Sequence, residues 1–250
     1  MKADGIDAHL WAGGKLSGNV FDGVDAVLIS APPGANGCPA FNAASQTIST
    51  RAKQFRWIGY LSTNGVYGDH DGAWVDETSD LRGASERAQR RIAAEKAWLK
   101  LAHENDLPLI VFRLPGIYGP GRSAFDNIRA GTAKRVDKPG QVFSRMHVDD
   151  IASTLVASME KPRVHNLYNL ADDEPAPPQD VISYACELLG VDPPPPVDFD
   201  KAELSDMAKS FYTDNKRVSN NRMKDALRIT LRFPTYREGL DDILRRGKAG

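Results

Sequence analysis

The chain has 250 residues, 32 Lys+Arg against 33 Asp+Glu, and a formal net charge of −1. With 41% hydrophobic and 26% charged residues it can bury a core of its own, which excludes disorder and collagen-like repeats. No apolar run approaches the ~18 residues of a membrane span, and a balanced charge without a Lys/Arg-dense face argues against a nucleic-acid binder. A small-molecule partner is expected, with neither nucleic acid nor membrane.

Met1-Lys2-Ala3-Asp4-Gly5 carries no apolar export pattern, so cytoplasm is the expected location. Asp25-Ala26-Val27-Leu28-Ile29-Ser30 and Trp57-Ile58-Gly59-Tyr60-Leu61-Ser62 are short apolar runs closed by turn residues, and both read as buried strands. Residues 39–54 between them have helical length, which predicts a right-handed crossover between parallel strands. Residues 85–104 place Ala88, Ile92, Leu99 and Ala102 on one helical face, ahead of a third strand at Leu109-Ile110-Val111-Phe112-Arg113. A helix over 148–159 and a last strand at 166–170 follow. A helix over 179–189 is stopped by Gly190 and by a stiff connector at Asp192-Pro193-Pro194-Pro195-Pro196. Residues 202–246 read as helices, including one from 220 to 227, plus one short strand near Thr230-Leu231-Arg232. Cys38 and Cys186 lie far apart without a Cys-x-x-Cys spacing or a nearby His cluster, so neither a disulfide framework nor a metal site is expected.

Four stretches stand in order: Leu61-Ser62-Thr63-Asn64-Gly65-Val66-Tyr67-Gly68-Asp69, Phe112-Arg113-Leu114-Pro115-Gly116-Ile117-Tyr118-Gly119-Pro120-Gly121, Met146-His147-Val148-Asp149-Asp150-Ile151-Ala152 and Tyr168-Asn169-Leu170-Ala171-Asp172-Asp173-Glu174-Pro175. Together they resemble the extended short-chain dehydrogenase/reductase superfamily, its NAD-dependent epimerase/dehydratase group. The phrase Tyr67-Gly68-Asp69-His70-Asp71-Gly72-Ala73-Trp74-Val75-Asp76-Glu77 is similar to an atypical bacterial branch. The likeness runs from about Gly5 to Leu244.

The resemblance implies an α/β protein with a Rossmann-like doubly wound parallel sheet. Residues 1–171 would form the dinucleotide-binding part, with a substrate-side insertion over about 116–146, and residues 172–250 a smaller, mostly helical α/β substrate part. NAD or NADP is the implied cofactor, and a homodimer through the helices that include residues 85–104 is the implied assembly. Thr63 matches a hydroxyl that hydrogen-bonds the reacting carbonyl; the alternative is that Ser62 and Thr63 simply cap or turn the chain. The family's Tyr-x-x-x-Lys dyad falls on Arg87 and Arg91. Arginine does not exchange a proton near neutrality, so the standard acid/base step is in doubt; Arg91 could face a ribose and Arg87 an anionic substrate group, or both could be solvated charges.

No Gly-x-Gly-x-x-Gly occurs in the chain, where the family holds a diphosphate on such a turn. Gly13-Gly14 follows a candidate strand at residues 6–11 but opens no helix. The first strand-helix-strand unit of the fold is therefore expected to be missing, as in a truncated or mis-started chain. The strand at 25–30 would then have an open edge, and residues 1–20 would be without order or in a vacated slot. By family position, Ser30, Ala31, Pro32 and Pro33 would lie beside adenosine, and Ser62, Leu114, Pro115 and Gly116 toward the nicotinamide. Arg113 reads as a site residue or as a structural ion pair. His147 reads as a base or as the docking point of a helix whose Asp149 and Asp150 favour its N-terminus. Arg122, Ser123, Arg145, Tyr212, Lys216 and Arg217 are candidates for an anionic substrate group. The implied function is an NAD(P)-dependent epimerase, dehydratase or oxidoreductase acting on a nucleotide-sugar-like or small polar substrate. The alternative is a catalytically inactive NAD(P)-binding sensor or scaffold.

Overall fold

The computed structural model describes residues 5, 6 and 8–248; the targeting reading of Met1-Lys2-Ala3-Asp4-Gly5 lies outside them but for Gly5. In chain order the elements are β1 (Ala26–Ile29), α1 (Pro39–Thr50), β2 (Trp57–Thr63), β3 (Trp74–Val75), α2 (Glu86–Asn105), β4 (Leu109–Leu114), β5 (Gly116–Tyr118), α3 (Ala124–Arg129), β6 (Arg135–Asp137), β7 (Arg145–His147), α4 (Val148–Glu160), β8 (Leu167–Asn169), α5 (Pro178–Leu189), β9 (Pro196–Asp198), α6 (Asp206–Phe211), β10 (Arg217–Val218), α7 (Asn221–Leu227) and α8 (Tyr236–Lys248).

The main sheet is parallel throughout, in the order β1-β2-β4-β8. Strand alternation sorts its side chains into two cores. Ile58, Tyr60, Leu109 and Val111 meet Ile48 of α1 and Trp98 of α2 on one face. Ile110, Phe112 and Tyr168 meet Ile151 of α4 and Met223 of α7 on the other. Helices on both faces make this the doubly wound arrangement expected.

Local chemistry explains the boundaries. Ser85 caps α2 by accepting from the Ala88 N–H, and Asp106 ends it in the left-handed region. Gly190 ends α5 the same way at φ 67. In β2 the Trp57 indole lies across Gly59, where any Cβ would fall 2.4 Å from the ring, and its N–H reaches the Ser158 hydroxyl of α4 at 3.0 Å.

Three expectations are corrected. Residues 230–232 form no strand: the N–H groups of Arg232 and Phe233 each donate to the Asp150 carboxylate at 2.9 Å, so this segment is spent docking on α4. The short strand of the C-terminal region is β10, which pairs with β3. No strand occupies the described part of residues 6–11, and from Leu16 onward the chain is docked rather than loose. The Leu16 N–H donates to the Ala43 carbonyl at 3.1 Å, and Phe21 packs edge-on against Phe55 with centroids 5.9 Å apart. The open edge is present: among the described residues β1 pairs only with β2, and Leu28 on it is 48% exposed.

Candidate functional site

Because β1, β2, β4 and β8 are parallel, their carboxyl ends meet along one edge, the place where doubly wound sheets collect ligands. Thr63 ends β2 there, and its Oγ1 accepts from the Gly65 N–H at 3.1 Å, capping the 3-10 turn Asn64–Tyr67. The hydroxyl proton stays available to a partner. Ser62 beside it is 3% exposed, with no hydrogen-bond partner for its hydroxyl.

Arg91 does not reach outward. Its Nη1 donates to the Leu61 carbonyl at 2.8 Å and to the Tyr60 hydroxyl at 3.2 Å, tying α2 to β2. Arg87, one turn earlier, is exposed, and its guanidinium carbon stands 6.0 Å from the ring centre of Phe211 in α6. On the other side of the edge, Leu114 and Pro115 are buried and Gly116 is exposed. Gly116 is held opposite Arg145 in the β5-β7 ladder. The loop over 30–34 closes through a Gly34–Gly37 bridge ahead of α1; Ser30 and Pro32 in it are exposed, Ala31 and Pro33 half-buried.

Arg122, Ser123 and Arg145 line one cavity of about 370 Å³ together with Tyr118, Asn127 and Tyr236. Ser123 is also part of a capping box with Asp126, which fixes the start of α3. Arg145 uses Nη1 for the Phe143 and Ala176 carbonyls at 2.9 and 3.0 Å, and burial pulls its pKa down, with Asp172 opposing. Tyr212 and Arg217 do not line this cavity. Tyr212 packs between Phe143 and Phe199 at 5.3 and 5.0 Å, and Arg217 donates to the Gly72 carbonyl. Lys216 is buried, donating to the Gly68 carbonyl at 2.8 Å and standing 3.6 Å from Asp214.

Arg113 resolves as an ion-pair residue. It reaches Glu95 of α2 at 2.7 Å with both side chains buried and donates to the Tyr67 hydroxyl at 2.9 Å. That hydroxyl donates to Asn169 Oδ1 at 2.7 Å, and burial pushes its pKa up to about 12. The Asn169 N–H in turn donates to Glu77 at 2.7 Å. His147 resolves as a helix dock: its Nδ1 accepts from the Asp149 N–H at 3.2 Å, and burial lowers its pKa, favouring the neutral ring. His147, Asp149 and Asp242 stand close enough to share a cation, but Arg246 already bridges the two carboxylates at 2.7 and 2.6 Å.

Asp172 is the polar group that sequence reasoning passed over. It is 1% exposed, neither carboxylate oxygen has a well-aligned donor, and its N–H donates to the Arg145 carbonyl at 2.6 Å. Burial pushes its pKa up to about 8, against the pull of Arg145 and the Glu174 N–H. It lies in the stretch Tyr168–Pro175, where the sequence sets it apart neither from Asp173 nor from Glu174.

The model of the NAD dependent epimerase/dehydratase family matches residues 46–171, a stretch that holds β2, β4, β8 and the Thr63 edge. The chain belongs to this family. Among solved structures, a functionally unknown conserved protein from Silicibacter pomeroyi is 51% identical, with a TM-score of 0.90 over 99% of this chain and 85% of that one. The dTDP-glucose 4,6-dehydratase of Bacillus anthracis, in complex with NAD, shares 19% identity at a TM-score of 0.72, covering 93% of this chain and 76% of its own. A human epimerase family protein with NADPH shares 16% at 0.71, covering 95% and 89%. The last two establish the fold. No curated protein matches the sequence.

The family is NAD-dependent by its description, and this chain's residues fit that cofactor at one end. Thr63 brings a hydroxyl to the edge beside Leu114, its partner in the β2-β4 ladder, and Gly116, exposed next to them, has the Ser144 carbonyl and the Arg145 stem on the side where a Cβ would lie. For the diphosphate the sequence contains no Gly-x-Gly-x-x-Gly turn, and Pro32 and Pro33, at the expected adenosine end, add no N–H donors. Among the described residues no helix is long and apolar enough to cross a membrane.

Proposed function

We propose that this protein binds a nicotinamide nucleotide at the Thr63–Gly116 edge and a small anionic, nucleotide-sugar-like substrate in the cavity of Arg122, Ser123 and Arg145, as an epimerase, dehydratase or reductase. The observation that carries the reading is the β5-β7 ladder. It sets Arg145 directly opposite Gly116, so an anion held by the guanidinium lies next to the nicotinamide wall. In this reading residues 1–171 supply the nucleotide edge, and residues 172–250 close the substrate cavity through Val181, Tyr236 and Leu240.

Arg145 binds and orients: two backbone carbonyls fix its plane, so little rotamer freedom is lost when a phosphate or carboxylate docks. Arg122, exposed on the rim, adds a second cation. Thr63 donates its hydroxyl proton to a substrate oxygen, because its lone pair is already engaged by Gly65. Arg87 offers positive charge above the edge and moves no proton. A bound nicotinamide supplies hydride exchange.

A second reading, a nucleotide binder without turnover, is favoured by the fixed position of Arg91. Its Nη1 is committed to β2, so the chain has no residue in the place of the family's proton-exchanging dyad. Calorimetric titration with NAD, NADP and UDP-glucose, followed by turnover measured from nicotinamide absorbance, separates the two. Expected are UDP-glucose binding in the range of about 10–100 µM and a loss of at least about tenfold in Arg145→Ala, from a removed charge-assisted contact. Equal affinity in a folded Arg145→Ala protein overturns the substrate site. Binding without turnover selects the second reading.

A further inference from the structure

A second cavity, of about 540 Å³, opens beside the end of β8, between β3 and α7. Its walls include Trp74, Ser79, Asp172, Asp173, Asn220 and Lys224, none of which belongs to the Thr63 edge or to the Arg145 cavity. Trp74 is the unusual member. The pairing of Trp74 with Arg217 and of Val75 with Val218 fixes the alternation of β3, so Val75 points into the core at 1% exposure while Trp74 stands outward at 60%. An indole this open contributes little to folding, and its flat apolar face borders a wall of hydrogen-bonding groups.

That wall is pre-organised. Asn220 Nδ2 donates to the Ala171 carbonyl at 2.9 Å and to Asp173 Oδ1 at 2.6 Å. Lys224 meets both Asp173 oxygens at 3.0 and 3.1 Å. The Lys224 cation and the Asp173 anion therefore cancel within the wall, and the other ionised lining carboxylate, Asp76, has its charge spread over the Thr78 N–H and the Thr78 and Ser79 hydroxyls, which leaves no unpaired cation for a phosphate. The buried Asp172 also lines the cavity, its carboxylate oxygens without a well-aligned donor. Its raised pKa keeps it largely protonated at neutral pH, able to donate as well as accept.

We propose that this cavity is a binding site for a neutral, hydroxyl-rich ring, a sugar or cyclic polyol. The ring's C–H face stacks on Trp74, and its hydroxyls exchange hydrogen bonds with Asp172, Asp173 and Asn220. The inference does not depend on the proposed activity, since the two cavities share none of the residues it uses.

Saturation-transfer NMR and tryptophan fluorescence test it on the full chain, with methyl α-D-glucopyranoside as the neutral probe, D-glucosamine as the cationic one and D-glucose 6-phosphate as the anionic one. The neutral glycoside is expected to saturate with a Kd of about 1–10 mM, a usual strength for a small polar ligand of few atoms. Trp74→Ala should weaken it by about tenfold or more, with Trp74→Phe recovering part of the loss. Trp74 is surface-exposed, so both variants should keep the parent's circular dichroism and Tm. Asp173→Asn, which retains the shape of the wall, should weaken binding several-fold and gives an independent check. No saturable binding of the glycoside overturns the proposal. So does binding unchanged in both Trp74→Ala and Asp173→Asn, or a clear preference for either charged sugar.

Discussion

At the scale of single residues, Asp172 makes the sharpest statement about pH. In the unfolded chain it ionises near the ordinary carboxylate value of 3.8, whereas burial in the folded chain raises this to about 8. Between those limits the native state holds the extra proton, so the group's contribution to stability falls as pH rises from about 4 to about 8 and is flat outside that window. Asp172→Asn removes the ionisation. Urea denaturation should show the variant gaining about 2–4 kcal/mol on its parent between about pH 5 and about pH 8.5; a gap that stays constant or shrinks contradicts the assignment. The same scale shows why the site was only partly legible. Thr63 and Gly116 lie in contiguous motifs, and their positions follow from strand ends. The commitment of Arg91 to the Leu61 carbonyl spans 30 residues, and Asp172 is buried facing Arg145 from 27 residues along the chain, neither of which periodicity encodes.

At the scale of elements, strands and helices with a strong apolar rhythm were readable to within one or two residues, β2 and α2 among them. The short ladders were not. β3 and β10 are two residues each and β5, β7 and β9 three each, too short for alternation to stand out, and each exists because a distant partner satisfies its backbone. The misplaced strand at 230–232 has the same origin: its N–H groups found a carboxylate in place of a ladder. β1 and β8 are the two edges of the main sheet among the described residues; β8 has its Asn169 N–H covered by Glu77, whereas β1 carries the exposed Leu28 and is the vulnerable one. Leu28→Lys should change unfolding free energy by no more than about 0.5 kcal/mol, as an exposed substitution. Light scattering on heating should show later aggregation, because an edge charge discourages strand addition. An unchanged onset would mean that another surface drives association.

At the scale of the molecule, one polar chain joins the two faces of the sheet. Glu95 of α2 holds Arg113 of β4; Arg113 and Tyr67 meet; Tyr67 and Glu77 converge on Asn169 of β8; and Glu77 faces Arg222 of α7 at 3.5 Å. Every inner link is buried, so breaking one leaves a charge without compensation. Arg113→Leu should cost about 3–5 kcal/mol in urea unfolding. Adding Glu95→Leu should restore most of it, since a well-packed apolar pair replaces a buried ion pair at little net cost. Equal losses in the single and double variants would place the effect in packing rather than charge.

The ladder between Trp74–Val75 and Arg217–Val218 also sets a clock. During synthesis β3 leaves the ribosome about 140 residues before its partner, and at about 5–20 residues per second that is a wait of about 7 to 28 seconds. Throughout that interval the segment after Tyr67, with its outward Trp74, has no strand to lie against. Nascent chains halted before residue 217 should be cut by protease in this segment, while chains carried past it should not.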